Sequence, residues 1–178
     1  MFGNKRFLVA AQIMVCVTGK KMYLNGEPIN SDYMAYSVNT NPVVIRRIIR
    51  ELKDAGLIEA KTGPNGGAFL TRDASEITLA DVYRALKDDG DLFNMDSYDS
   101  NHKCVIGRGI KPALHEMVTK AEHAMLDVLA QKSLKEFAEE TIGNSLRAEY
   151  EDYESSIQDL VMRCATDEAS TFEHLDDI

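Results

Sequence analysis

The feature that most limits how this chain can fold is a segment of helical period with one basic face, which runs directly into a glycine-rich turn. Between Pro42 and Ala55 apolar side chains recur at three and four residues, which predicts an amphipathic helix. Proline is favoured at a first helical position, and Gly56 suits the end of the helix. One side of the helix is apolar (Ile45, Ile48, Ile49 and Leu52), and the other carries Val43, Arg47, Arg50 and Asp54, with Arg46 beside them.

The sequence predicts a β-hairpin after this helix. It also predicts two helices that precede this helix in the chain. The segments 57–61 and 68–71 flank the turn Thr-Gly-Pro-Asn-Gly-Gly, which is typical of a hairpin. Dense apolar residues from Phe7 to Val17 predict a buried helix that ends at Thr18-Gly19. A cap at Asn30 or Ser31 predicts a short helix through Val38. This order of elements predicts a mainly α fold with a small β-hairpin wing, a winged helix-turn-helix.

The second half of the chain predicts a long helix with an unmatched apolar stripe. Before this long helix the sequence predicts a capped helix over 77–86 and then a polar, aperiodic linker. After it, Ser133 begins a short capped helix. Between them, residues 105–130 form the stripe Ile110, Leu114, Met117, Val118, Ala121, Met125 and Leu129. Because so long a helix must bury its stripe, a partner chain is the expected cover. We therefore divide the chain into a winged helix-turn-helix (1–87), a linker loop (88–103), dimerisation helices (104–142) and an acidic C-terminal extension (143–178).

Charge is divided unevenly along the chain. The net charge is -9, yet residues 1–72 carry ten bases against five acids, and the excess of acids lies in the remainder. A uniformly acidic surface would repel phosphate, whereas this division leaves a basic first half that suits nucleic acid. Chance clustering of surface charge is the alternative.

The composition also predicts the compartment. No run of about 18 apolar residues is present, and no small-residue cleavage site follows the first residues, so we expect a cytoplasmic protein with no membrane partner. Cys16, Cys104 and Cys164 are too widely spaced for a disulfide framework or a paired-cysteine zinc site, which favours a reducing compartment.

Five stretches together resemble one family. They are 29–35 (INSDYMA), 39–47 (NTNPVVIRR), 52–58 (LKDAGLI), 63–70 (GPNGGAFL) and 77–82 (ITLADV), and they are similar to the Rrf2 family of bacterial and archaeal regulators, to which the iron–sulfur cluster regulator belongs. The resemblance covers roughly residues 5–140. It implies a homodimer built on a long C-terminal helix, which binds a palindromic operator and usually acts as a repressor.

The resemblance also bears on a cofactor. Cluster-binding members place three cysteines in the loop and the start of the dimerisation helix, whereas this chain has only Cys104 there, so we expect no iron–sulfur cluster. His102 as a substitute ligand is a weak alternative. The segment 104–108 is similar to a single-cysteine subgroup, and Cys104 begins the long helix near Lys103 and Arg108, where its thiolate is favoured. A redox-sensing thiol and a cysteine that merely packs or caps are both consistent with this position.

These observations predict a sequence-specific, DNA-binding transcriptional regulator. We expect contacts with double-stranded DNA from Thr40, Asn41, Val43, Arg46, Arg47 and Arg50 in the major groove, and from Lys61, Asn65 and Gly66 at the backbone. No nucleotide-binding glycine loop and no nucleophile–base pair is visible, so an enzyme and a metal site are not expected. The alternative is a dimeric protein–protein interaction module without DNA binding.

Overall fold

The computed structural model describes residues 3–23, 28–61, 63, 66–86 and 98–149. Within these ranges the chain is mostly helical with one small antiparallel sheet, as predicted. The elements in chain order are α1 (Gly3–Tyr23), α2 (Ser31–Val38), α3 (Pro42–Asp54), β1 (Ile58–Lys61), β2 (Gly67–Leu70), a 3₁₀ turn (Ala74–Glu76), α4 (Leu79–Ala85), α5 (Val105–Ala130) and α6 (Leu134–Glu149).

Two asparagine caps fix the helix-turn-helix, and the first of them, at Asn30, was predicted from the sequence. The Asn30 side chain accepts a hydrogen bond from the Tyr33 amide at 2.7 Å and begins α2. The helix ends at Asn39, whose φ of 52° is left-handed, a conformation that asparagine tolerates better than most residues. Asn41 then accepts from the Val43 amide at 2.8 Å and begins α3 at Pro42. These caps set the short turn between the two helices.

The wing is the hairpin of β1 and β2, residues 58–70. Its register pairs Ile58 with Leu70 and Lys61 with Gly67. An isolated bridge between Ile29 and Ala68 ties the wing to the segment before α2, with backbone bonds of 2.8 and 3.1 Å. Strand β2 is therefore hydrogen-bonded on both of its sides, to β1 and to the segment before α2.

One core holds these elements together. Its largest fully buried side chains come from α1, α2, α3, β1, α4 and α6, with Ile77 between the 3₁₀ turn and α4: Ile13, Met14, Met34, Ile45, Ile48, Leu52, Ile58, Ile77, Val82 and Leu134. Burying such apolar side chains is the main favourable contribution to folding.

The predicted end of the first helix at Thr18-Gly19 is wrong, because α1 continues to Tyr23. Thr18 is fully buried and its hydroxyl donates to the Met14 carbonyl at 2.8 Å, so it is satisfied inside the helix. A Cβ at Gly19 would lie 3.3 Å from Ile142 Cδ1, which shows that the missing side chain allows α6 to pack closely. Gly19 therefore allows close contact between α1 and α6, and it does not end α1.

The two C-terminal helices differ in burial. The bounds of α5 match the predicted long helix, and the described structure buries none of its residues. The last helix is longer than the short helix predicted at Ser133, and its Leu134 and Ala138 are fully buried. The Leu134 amide also donates to the Ile77 carbonyl at 2.7 Å. In this way α6 joins the core that α1 builds, although it lies in the range assigned to the dimerisation helices. Most of the predicted linker (88–97) and of the acidic extension (150–178) lies outside the described residues.

Candidate nucleic-acid interface

The geometry of α3 separates an anchoring face from an outer face. Ile45, Ile48 and Leu52 are 0–1% exposed and fix the helix to the core. The outer face of α3, which consists of Val43, Arg46, Arg47 and Arg50, is exposed, and Val43 is 66% accessible. The second helix of a helix-turn-helix thus presents three guanidinium groups to solvent, as predicted. Guanidinium forks match guanine edges and phosphates.

The start of α3 adds polar groups to this surface. Asn41 is exposed, and its side-chain oxygen caps the helix. Thr40 is half-buried, and its amide donates to the Ala35 carbonyl at 2.9 Å. Because the first amides of a helix favour anions, this end of α3 suits a DNA phosphate.

Ion pairs hold two of the three arginines of the outer face. Arg46 Nη2 lies 3.7 Å from Asp32 on α2, and Arg47 Nε lies 3.7 Å from Glu51 Oε1 one turn further along α3. Within the described part of the chain, no acidic side chain pairs with Arg50. Glu51 Oε2 also contacts Arg6 Nη2 of α1. Arg6 is 7% exposed, and it is the one charged residue among the buried side chains of the described ranges.

The wing provides a smaller basic site beside α3. Lys61 is exposed, and its Nζ lies 5.3 Å from the centroid of the Phe69 ring, which orients the ammonium group by a cation–π contact. Gly66 is half-buried, and a Cβ there would lie 2.5 Å from the Lys61 carbonyl oxygen, so the tight turn requires glycine. Asn65, the third wing residue predicted to contact DNA, lies outside the described residues.

Cys104 lies apart from this surface, at the N-cap position of α5. Its side chain is exposed. Hydrogen bonds from the backbone amides of Gly107 and Ile106 lower the pKa of the thiol, with the Gly107 bond the larger cause. His102 Nε2 is 3.7 Å from the Asp99 carboxylate. A cysteine with a lowered pKa carries more thiolate at neutral pH than an ordinary one.

The described residues do not fit an iron–sulfur cluster held by three cysteines. Cys104 is the one cysteine at the start of α5, whereas Cys16 lies within α1 with its sulfur 3.5 Å from the Ser37 hydroxyl. Across the described ranges, no group of three or more metal-binding side chains comes together. Cys164 lies outside those ranges. The absence of a cofactor stays a prediction.

Arg6, Asp32 and Glu51 are site residues that sequence reasoning missed. The four-residue spacing of Arg47 and Glu51 on one predicted helix was a visible signal, because such pairs face each other. No local signal pairs Arg6 with an acid 45 residues away, since only the packing of α1 against α3 brings them together.

Comparisons with known proteins agree with this geometry. The family model Rrf2, described as an iron-dependent transcriptional regulator, matches residues 4–140. YwnA of Bacillus subtilis, named as an HTH-type transcriptional regulator, is 38% identical over 133 residues, which span 75% of this chain and 94% of that protein. NsrR of Bacillus licheniformis, also named as an HTH-type transcriptional regulator, is 33% identical over 104 residues, or 57% of this chain and 68% of that protein.

Solved structures show the same fold. A crystal structure of a protein described as DNA-binding is 34% identical, has a TM-score of 0.56 and covers 74% of this chain and 97% of its own. Staphylococcus aureus CymR, at 23% identity and a TM-score of 0.55, covers 75% of this chain and 95% of its own, and supports the fold alone.

No helix in the described ranges has the length and apolar character that a membrane span needs. The family match and the winged helix-turn-helix geometry together show that this chain is a DNA-binding transcriptional regulator of the Rrf2 family.

Proposed function

We propose that this protein is a cytoplasmic, homodimeric repressor, without enzymatic activity, that binds a palindromic operator. The observation that carries the proposal is the outer face of α3, where three exposed arginines stand on a helix that the core holds rigidly. In the complex, Thr40 and Asn41 and the outer face of α3 enter the major groove, and Lys61, Asn65 and Gly66 of the wing meet the backbone.

The exposed stripe of α5 supports a dimer. Leu114, Met117 and Val128 are 39%, 65% and 64% exposed, and they recur on one side of a 26-residue helix. Apolar side chains in such a row are stabilised when a partner removes them from water. A second copy supplies a matching stripe by symmetry, and it places two copies of α3 about one helical turn of DNA apart. A palindrome follows from the two-fold axis, and repression follows where the operator overlaps a promoter.

As part of the same proposal, Cys104 makes the repressor responsive to oxidants. Its thiolate attacks a hydroperoxide and the O–O bond breaks. The products are a sulfenic acid and either hydroxide or an alkoxide, which takes a proton from water to become the alcohol. The sulfenic acid is bulkier than the thiolate and no longer carries its charge beside the amides of Gly107 and Ile106, at the start of α5. Oxidation thereby disturbs the helix on which the dimer depends.

The test is selection of bound duplexes from a random DNA pool by the purified protein at near-physiological salt. We expect a palindrome to be enriched. Its affinity should fall steeply as salt rises, because each neutralised phosphate releases counterions. A protein–protein interaction module, the alternative function, predicts no enriched sequence. Weak dependence of binding on salt would also favour that alternative.

An oxidant arm of the same experiment tests Cys104. Binding to the enriched palindrome should fall when hydrogen peroxide is added and recover after reduction. The variant Cys104→Ser should bind normally and stay insensitive, with Cys16→Ser as the control that keeps the response. If both variants respond like the unmodified protein, Cys104 is not the sensor, and the repressor proposal stands without it.

A further inference from the structure

We infer that Glu51 and Arg6 are positioning residues for DNA recognition: the buried Arg6 guanidinium holds Glu51, and Glu51 orients Arg47 toward the bases. The inference rests on the proposed function, because it assigns Arg47 a role in reading the operator. It names two residues that contact no DNA themselves. Both lie behind the outer face of α3.

Glu51 lies where the outer face of α3 meets the core. Its side chain is 14% exposed, whereas the side chain of Arg47 is 74% exposed. One carboxylate oxygen, Oε2, contacts Arg6 Nη2 of α1, and the other, Oε1, is 3.7 Å from Arg47 Nε. A single carboxylate therefore connects the first helix of the fold to a side chain that reaches into solvent.

The atoms involved decide which way Arg47 is presented. A guanidinium has a side edge that includes Nε and an end edge formed by its two terminal nitrogens. Because Glu51 holds Nε, the end edge of Arg47 remains available for the O6 and N7 atoms of guanine. Arg46 is held differently, since its terminal Nη2 is the atom that faces Asp32. The geometry thus favours Arg47 over Arg46 as a reader of bases.

The burial of Arg6 supports a role beyond stability. Removing a guanidinium and a carboxylate from water is unfavourable before their attraction is counted, and apolar residues often replace such pairs without loss of stability. The side chains of Arg6 and Glu51 are 9% and 14% exposed, so both groups lose most of their contact with water. A fixed carboxylate behind Arg47 lowers the entropy that Arg47 loses on binding a base.

The experiment compares affinities for the selected palindrome and for a scrambled duplex of equal length. Glu51→Gln keeps the volume and an acceptor for Arg6 but removes the charge that holds Arg47. We expect its operator affinity to fall about tenfold. Its affinity for scrambled DNA should stay equal or rise, because an acid near the phosphates is lost. A purely structural role would lower the melting temperature and leave the ratio of the two affinities unchanged.

A double-mutant cycle makes the test decisive. In an Arg47→Ala background, Glu51→Gln should change the affinity ratio less than twofold, since its effect passes through Arg47. Glu139→Gln on α6 is the matched control, because it removes the same charge from an i,i+4 pair (with Lys135) outside the winged helix. It should leave the ratio unchanged.

Arg6→Met is a second variant for the case that Glu51→Gln does not fold. It frees Glu51 from α1 and should lower the ratio in the same direction. Additive effects in the cycle, or an unchanged ratio in both variants, would overturn the inference alone. A wild-type protein that selects no sequence would overturn the proposed function, and the inference with it.

Discussion

Gly67 shows how much of the wing depends on one missing side chain. Its φ is 157°, and a Cβ there would lie 2.4, 2.5 and 2.8 Å from the O, C and N atoms of Ile29. These are backbone atoms of the bridge that ties the wing to the segment before α2, so they cannot move aside as a flexible side chain would. The wing lies where it does because residue 67 is glycine.

We expect Gly67→Ala to lower the free energy of unfolding by about 3 kcal/mol, because a strained backbone angle and a backbone clash act together. Thermal unfolding followed by circular dichroism measures the loss. Gly63→Ala is the matched control: its φ is 117°, but nothing lies within 4 Å of its Cβ position. The control should cost only about 1 kcal/mol, which is the conformational part. Equal losses in the two variants would show that the contact with Ile29 is unimportant.

The start of α6 is set by a single cap at Ser133. The Glu136 carboxylate accepts hydrogen bonds from the Ser133 hydroxyl at 2.7 Å and from the Ser133 amide at 2.9 Å. The Ser133 hydroxyl bond is the larger cause, and the amide bond the smaller, of a lowered pKa for Glu136. A capping box of this kind satisfies amides that the first turn leaves free. It also directs Leu134 into the core.

We expect Ser133→Ala to destabilise the protein by about 1 kcal/mol at neutral pH. A depressed pKa in the folded state means that the contribution is present above the unfolded pKa and lost as pH falls through the folded one. The difference between variant and wild type should therefore shrink below about pH 4. Urea unfolding at pH 7 and pH 3 measures it. Ser145→Ala, on an exposed turn of α6, should show no loss at either pH; a pH-independent difference at Ser133 would argue against the bond to Glu136.

The helices and strands differ in how well their bounds could be predicted from the sequence. The caps at Asn30 and Asn41 and the capping box at Thr78 were predictable, because each depends on residues within one turn. The bounds of α5 were predictable from its own apolar period. The continuation of α1 through Gly19 was not, since it depends on Ile142 in a distant helix. The residues of the candidate nucleic-acid interface also fall into a predictable and an unpredictable group. The arginines of the outer face of α3 followed from helical period, whereas the contact between Arg6 and Glu51 required the fold.

Across the whole molecule, the excess of basic residues and the exposed apolar stripe lie on different elements. The basic excess lies in residues 1–72, which build the winged helix, and the acidic excess lies in the remainder. The exposed apolar stripe lies on α5, which follows the winged helix in the chain. The winged helix therefore suits DNA, and α5 suits a second copy.

We expect Met117→Glu to convert a dimer into a monomer, because it places a charge in the middle of the stripe at a side chain that is 65% exposed in the single chain. Sedimentation should show wild type at twice the chain mass of 19.9 kDa and the variant at that mass. Operator affinity should fall by at least about a hundredfold, since two linked half-site contacts become independent.

His123→Glu is the control for this variant, because His123 is exposed on the opposite side of α5 and the added charge is the same. It should leave both mass and affinity unchanged. A Met117→Glu protein that stays dimeric and binds normally would mean that the copies meet elsewhere. The spacing of the two copies of α3 along the operator would then have to be set by a surface other than this stripe.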